Sequence, residues 1–394
     1  MEFRLFFDWE GEEIERGFEL LQREYEGGKV GYYHLPELSR AYLKWEPEVE
    51  YREVVVVGIG GSSLGAKAVY HLNAPYYPVK PLFFLENPDP VDLLSQLQKV
   101  TNPLFFVISK SGKTIETISI LKYLISHFGL KPGAKNLKII TGKESPLDKF
   151  GEEWRLERFY IPDNVGGRFS VLSSVGILPL KSAGFPIGLL LKGAEEFRNS
   201  FFAGREEHLL KKGAFYATNW EKFPINVLFA YGTLLNYFKE WYVQLFGESL
   251  GKEGREIMPV GHIGSIDQHS FLQLLMEGLP NKSVTFLKIA HFGKNLQIPN
   301  LSLPGLEMTN FTNGSLFEEL INLEEKATLE SLKSRGLVLD EIVLPQVDLY
   351  RTGKLIFYYQ LLTSLIGALW GIDTYNQNGV EMGKRILPTL FQRG

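Results

Sequence analysis

Short continuous apolar runs alternate, through the first half of the chain, with longer stretches in which apolar residues recur every three or four positions. The short runs, Val54–Gly58, Leu82–Leu85, Phe105–Ser109, Lys138–Thr141 and Arg158–Ile161, read as strands, and the stretches between most of them read as helices. That alternation predicts a parallel sheet covered by helices. The second half offers strands near Ser283–Ile289 and Glu341–Leu344 and long apolar helices over Pro224–Phe246 and Leu355–Trp370. Between the halves, just after Ser200, the charged stretch FFAGREEHLLKKG reads as a connection. It divides the chain into residues 1–200, an N-terminal segment plus a first α/β lobe, and residues 201–394, a second lobe with a C-terminal helix. No repeat of fixed period and no low-complexity tract is visible.

One of these helices requires a membrane check. Leu355–Ile372 runs for 18 residues without a charge, about the length that spans a bilayer. It carries Gln360, Thr363, Ser364, Gly367 and Gly371, and neither an aromatic belt nor a basic flank marks two interfaces. It reads as the buried central helix of an α/β domain.

Composition changes the picture only by exclusion. With 394 residues, 44% hydrophobic and 22% charged, the chain has the make-up of a globular protein of two or three domains. A net charge of −4 argues against a nucleic-acid partner, which calls for a basic stripe. The chain has no cysteine, so disulfides, thiol nucleophiles and thiolate metal sites are excluded. The opening MEFRLFFDWEGEE lacks the apolar core of a signal peptide, so a cytoplasmic enzyme that does not contact membranes is expected. The histidines at 34, 71, 127, 208, 262, 269 and 291 show no H-x-H or H-E-x-x-H spacing, so neither a metal nor another cofactor is expected.

Candidate chemistry begins at Leu104–Thr117, LFFVISKSGKTIET, where an apolar strand stops at small hydroxyls, lysines and a glycine and a helix then follows. Ser109, Lys110, Ser111, Gly112, Lys113 and Thr114 stand at that helix's N-terminus, where free N–H groups and the dipole favour an anion. A nucleotide P-loop would need glycine at 107, which is Val107 inside the strand. A capped turn without a ligand is the plainer alternative. A second glycine-rich loop, GIGGSSLG at 58–65, also leaves a strand and opens a helix. Read as a dinucleotide fingerprint it lacks the third glycine, Ser63 standing there, and Glu86 is only a passable ribose acid. Otherwise Gly60 and Gly61 let the backbone approach a sugar while Ser62 supplies a donor, or the glycines serve a tight turn alone.

Arg168 follows a glycine pair in VGGRFS, and its fixed charge suits a developing oxyanion as well as a surface ion pair. Gln244 and Glu248 are four apart and share a helix face, which a solvated surface would also explain. His269 lies in the polar turn GSIDQHS, and Lys384 in QNGVEMGK, which leads from a turn into a helix. Each has an ordinary structural reading by itself.

Taken in order, GIGGSSLG at 58–65, SKSGKT at 109–114, GGRFS at 166–170, QLFGES at 244–249, GSIDQHS at 264–270 and QNGVEMGK at 377–384 resemble the glucose-6-phosphate isomerase family. The resemblance spans about four-fifths of the chain. It implies a fold of two sugar-isomerase (SIS) lobes, each a mostly parallel sheet in an α/β/α sandwich. It also implies a homodimer that interconverts glucose 6-phosphate and fructose 6-phosphate through a cis-enediol(ate). Carried over position by position, Ser62, Ser109, Ser111 and Thr114 match the family's phosphate-binding hydroxyls and Gln244 and Gln377 its supporting amides; Gly61, Lys110, Gly112 and Lys113 complete the binding loops. Glu248 matches the base, Arg168 the enediolate stabiliser, and His269 and Lys384 the ring-opening pair, with His269 reaching the partner's site. Lys113 stands where the family usually has a small residue or Thr, and Gly247 where longer members have Met. A sugar-phosphate-binding regulator on the same type of lobe is the alternative, and the sequence leaves open whether mannose 6-phosphate is also a substrate.

Overall fold

The computed structural model describes residues 1–391, which form ten strands in two sheets with helices on both faces of each. The strands are β1 (Glu2–Leu5), β2 (Glu53–Val57), β3 (Leu82–Leu85), β4 (Pro103–Ser109), β5 (Leu137–Thr141), β6 (Glu157–Tyr160), β7 (Ile225–Tyr231), β8 (Met258–Ile263), β9 (Lys282–His291) and β10 (Val338–Gln346). The first sheet is wholly parallel, in the order β3-β2-β4-β5-β6. The second runs β1-β10-β9-β7-β8, parallel except for the antiparallel edge strand β1. Every strand expected from the apolar runs is present.

The order of the first sheet fixes where a ligand can sit. After β2 the chain moves outward to β3, then returns to the other side of β2 to form β4, so the strand order reverses between β2 and β4. A crevice opens outside the carboxyl ends of strands at such a point. The register pairs Val57 with Val107, so the loops leaving β2 and β4 emerge side by side. They are the glycine-rich loop at 58–65 and the hydroxyl-rich loop at 109–114.

Side-chain alternation builds the layers. Val54 and Val56 join a core shared by both lobes, whereas Val55 and Val57 face a separate outer core with Phe105, Val107 and Leu124. Leu228 and Ala230 reach the shared core from the second sheet, and Val227 and Phe229 an outer one. Along the middle of the shared core runs the helix Leu349–Trp370, apolar nearly all round, ended by Gly371 in the left-handed region (φ 71°). This is the 18-residue uncharged stretch in its expected place. No described helix is long and apolar enough to cross a membrane.

One expectation needs correction. Pro224–Phe246 is not one helix: Ile225–Tyr231 is strand β7, and the helix is Asn236–Leu250. A continuous apolar run buried on both faces carries no period that separates strand from helix. The available signal was punctuation, with Pro224 before the run and Gly232, at φ 129°, after it. FFAGREEHLLKKG, which lies between β6 of the first sheet and β7 of the second, is mostly helical: it is the end of the helix Gly188–Phe202, a short turn and the start of Glu207–Asn219. Its buried large apolar members, Phe201, Leu209 and Leu210, go to the shared core. The sequence reading also lacked β1 and β8, both at sheet edges, and β1 places the first residues of the chain in the second sheet.

Candidate active site

The turn after β4 is built from its own hydroxyls. Ser109, almost fully buried, accepts the Gly112 N–H on Oγ at 3.1 Å and lies 2.8 Å from Thr114 Oγ1, and the Lys113 N–H reaches Ser111 Oγ at 3.4 Å. Gly112 takes φ 68°, and a Cβ there would come within 2.4 Å of Ser145 Oγ, so the turn demands glycine twice over. The helix Ile115–His127 follows without a side-chain cap, leaving its first N–H groups pointing out of the turn. Such a turn has the donors and the dipole to accept an anion. Ser111 and Lys113 are exposed at its mouth. Lys110 is turned elsewhere: its ammonium donates to Asp163 O (2.8 Å) and Val165 O (2.9 Å), and burial pushes its pKa down. It ties the cradle to the segment that leads into Arg168.

The loop after β2 touches the rest of the site at close range. Gly60, at φ 60°, approaches Gln244 so nearly that a Cβ would meet Nε2 at 2.9 Å. Gly61 lies against the backbone of Gly167 and Arg168, where a Cβ would meet Gly167 C at 2.3 Å. The close approach that glycine permits at 61 is therefore to this chain's own backbone. Ser62 is half-buried and its hydroxyl has no hydrogen bond among the described residues. Glu86 is taken by Ser63 Oγ (2.6 Å) and Lys67, which removes it as a ribose acid.

Arg168 is completely buried and uses all five of its N–H groups. Nε–H donates to Ser249 Oγ (2.6 Å), one terminal nitrogen to Glu248 Oε2 (3.1 Å) and Gln377 Oε1 (3.4 Å), and the other to the carbonyls of Thr374 (2.6 Å) and Asn376 (2.9 Å). Burial pushes its pKa down and the Glu248 carboxylate opposes that push. Glu248 receives Gln244 Nε2–H on its other oxygen at 3.0 Å, as the four-residue spacing on one helix face requires. Its carboxylate, 30% exposed, opens into a cleft of about 470 Å³ that Lys252, Gln377 and Val380 also line.

Behind Arg168, the segment 373–377 is held from the other side. Tyr375, between the two carbonyls that Arg168 grips, donates to Glu24 and lies 2.9 Å from Ser364 Oγ, and Tyr33 also donates to Glu24 at 2.8 Å. Burial raises the pKa of Glu24 against the pull of those two hydroxyls. Ser249, the carbonyls of 374 and 376, and Tyr375 are contributors that sequence reasoning missed. Ser249 sits next to Glu248 in QLFGES and could have been suspected, whereas carbonyls carry no side-chain signal.

The structure thus brings Arg168, Gln244, Glu248, Gln377 and Gly61 together, and separately gathers Ser109, Ser111, Gly112, Lys113 and Thr114. His269 joins neither. It is exposed on the turn between the helices Gly264–Asp267 and Leu272–Glu277, and no hydrogen bond among the described residues links it to Arg168 or Glu248. That turn is nevertheless firm: Asp267 accepts the Ile263 N–H (2.8 Å) and Ser270 Oγ–H (3.1 Å) and pairs with His262. Burial works against its charge, but these donors hold its carboxyl below the usual range. Lys384 lies on the exposed first turn of the helix Glu381–Phe391.

The phosphoglucose isomerase profile matches residues 44–392. A glucose-6-phosphate isomerase of Campylobacter jejuni is 41% identical over 382 residues, 93% of each chain. A hypothetical protein of Thermus thermophilus superposes with a TM-score of 0.84 at 32% identity, over 96% of this chain and 94% of that one. A glucose-6-phosphate isomerase of Chlamydia trachomatis shares the fold of two SIS lobes, with a TM-score of 0.75 at 24% identity over 98% of this chain and 76% of that one. On this match in both sequence and fold, the chain belongs to the phosphoglucose isomerase family.

Proposed function

We propose that the protein interconverts glucose 6-phosphate and fructose 6-phosphate, the isomerase step shared by glycolysis and gluconeogenesis, with Glu248 as the proton-shuttling base. The observation that carries this is the pairing of a cleft-facing Glu248 with a buried, fully hydrogen-bonded Arg168. Open-chain glucose 6-phosphate carries an aldehyde at C1 and a hydrogen on C2. Glu248 takes the C2 hydrogen as a proton, and the electron pair left on C2 forms the C1–C2 double bond while O1 becomes the oxyanion. Arg168 acts there through its fixed charge, its N–H groups being committed to this chain, and a charge set in place before reaction needs no reorganisation when the oxyanion develops. The O2 proton moves to O1, Glu248 returns its proton to C1, and the product is the C2 ketone.

The cradle at Ser109–Thr114 binds the phosphate through the N–H groups of the helix Ile115–His127, with Ser62, Ser111 and Lys113 free to add donors and Thr114 and Ser109 fixing the turn. Gln244 and Gln377 orient Glu248 and Arg168 respectively. His269 and Lys384 open the hexose ring, His269 from a second copy of the chain. Its exposure supports this, as do the exposed apolar side chains of Leu301, Met308 and Phe311 on the irregular arm after β9. The reaction takes place in the cytoplasm. A purely binding regulator has no use for a carboxylate held open to the cleft by a buried arginine.

The test is a coupled assay in EDTA without nucleotide. Turnover of fructose 6-phosphate but not of free fructose is expected, and equal turnover of both would remove the phosphate from the account.

A further inference from the structure

Lys252 lies four residues past Glu248, just beyond the end of the helix Asn236–Leu250, and lines the same cleft as Glu248 and Gln377. It is held by a tight turn, in which the Lys252 N–H donates to Arg255 O (3.0 Å) and the Arg255 N–H returns to Lys252 O (2.9 Å). Glu253 and Gly254 occupy the left-handed region there, at φ 55° and 74°. Arg255 anchors the turn by donating to Trp370 O at 2.7 Å, at the end of the central helix. The Lys252 ammonium therefore has a defined direction, and its partners are backbone: the carbonyls of Asp373 and of Asn376, the latter at 2.9 Å.

Asn376 O is thus shared by two cations, Lys252 and Arg168, while Arg168 also grips Thr374 O and Gln377 Oε1. We infer that Lys252 is a positioning residue for the isomerisation: by holding the strap 373–377 it sets where Gln377 and Arg168 meet the carboxylate of Glu248. The inference rests on the isomerase reading above. A direct role on an anionic substrate is the competing use of a lysine in that cleft, and it makes different predictions, because a group that binds substrate acts on KM while a group that sets the geometry of base and cation acts on kcat.

Protonation gives a second readout. The charged groups facing Lys252 are Arg168, Asp373, Glu248 and Glu253, and burial together with Arg168 brings its pKa down to about 8. Above that pH the strap keeps its carbonyls but loses a charge-assisted donor. Lys252→Arg keeps the charge at every accessible pH.

The experiment compares wild type, Lys252→Met and Lys252→Arg on fructose 6-phosphate across pH 6–10, with a thermal melt of each. Lys252→Met is expected to lose kcat by about 10- to 100-fold, the scale of a small misplacement, with KM nearly unchanged. Lys252→Arg is expected to recover most of kcat and to move the alkaline limb of the profile upward. A rise in KM at constant kcat in Lys252→Met would make the lysine a substrate ligand and overturn the inference. Unchanged kcat in a folded Lys252→Met, or an alkaline limb that does not move in Lys252→Arg, would overturn it too. A wild-type protein without activity on fructose 6-phosphate would instead count against the isomerase reading.

Discussion

Around Arg168 every hydrogen-bonding group of the cation is matched within one chain, whereas around His269 a firm turn presents an exposed imidazole to the outside. The first region draws its members from distant parts of the sequence. Glu24 and Tyr33 near the N-terminus, Ser249, and the strap 373–377 all bear on Arg168 directly or through Tyr375. The second is local, since Asp267 receives Ile263, Ser270 and His262 within a few residues. The groups proposed to handle the carbon-bound proton are prearranged at a cost met by folding, while those proposed to open the ring stand at the surface.

The largest expected effect comes from breaking the first region. Arg168→Lys keeps the charge but cannot serve five acceptors, so carbonyls and a carboxylate lose partners. Its kcat should fall by about 10²–10³-fold, the scale of losing one prearranged electrostatic contribution to an oxyanion. Steady-state assay checks it, and a loss below tenfold in a folded protein would mean that Arg168 is structural only.

The second region gives a different kind of prediction. If His269 completes the site of another copy, an inactive Glu248→Gln protein mixed with an inactive His269→Ala protein should recover activity on glucose 6-phosphate after subunit exchange. One of the two mixed sites then carries both native residues. Recovery to a sizeable fraction of wild type is expected, and none at all would place His269 in its own subunit's site.

The smallest effect tests the support behind Arg168. Glu24 has its pKa raised by burial, so its contribution is fully present below 4.5, its ordinary value, and is lost as pH rises through its higher folded value. Stability should fall over that acid window. Glu24→Gln keeps an acceptor for Tyr33 and Tyr375 but cannot titrate, so it should flatten the fall while changing neutral stability by no more than about 1 kcal/mol. Thermal melts from pH 4 to 7 read this directly, and an unaltered slope would assign the titration elsewhere.

The contrast also separates what the sequence could and could not disclose. The strands and the cradle were legible because burial on two faces and a helix N-terminus leave local patterns: the apolar run Leu104–Ile108, then Ser109 to Thr114. Gln244 and Glu248 could be placed on one face because a helix fixes that spacing. The run Ile225–Tyr231 was misread because a fully buried strand and a buried helix look alike until Pro224 and Gly232 are weighed. The grip on Arg168 was not legible at all. Its acceptors at 374 and 376 are carbonyls that any residue could present, brought there by the path of a segment more than two hundred positions away. At Lys110 the sequence could not show where the side chain goes: its ammonium is committed to the carbonyls of Asp163 and Val165.

The account stands or falls on which residue moves the carbon-bound proton. A base that takes a proton from C2 and returns it to C1 exchanges it with solvent for part of the time, so the measurement is deuterium incorporation into fructose 6-phosphate in D₂O, followed by NMR. Wild type should label the sugar, and Glu248→Gln should lose labelling and turnover together by about 10²–10⁴-fold, the usual worth of a general base. His269→Ala should still label an open-chain substrate analogue near the wild-type rate while failing on the cyclic sugar. A Glu248→Gln protein that labels the sugar as fast as wild type would contradict the account.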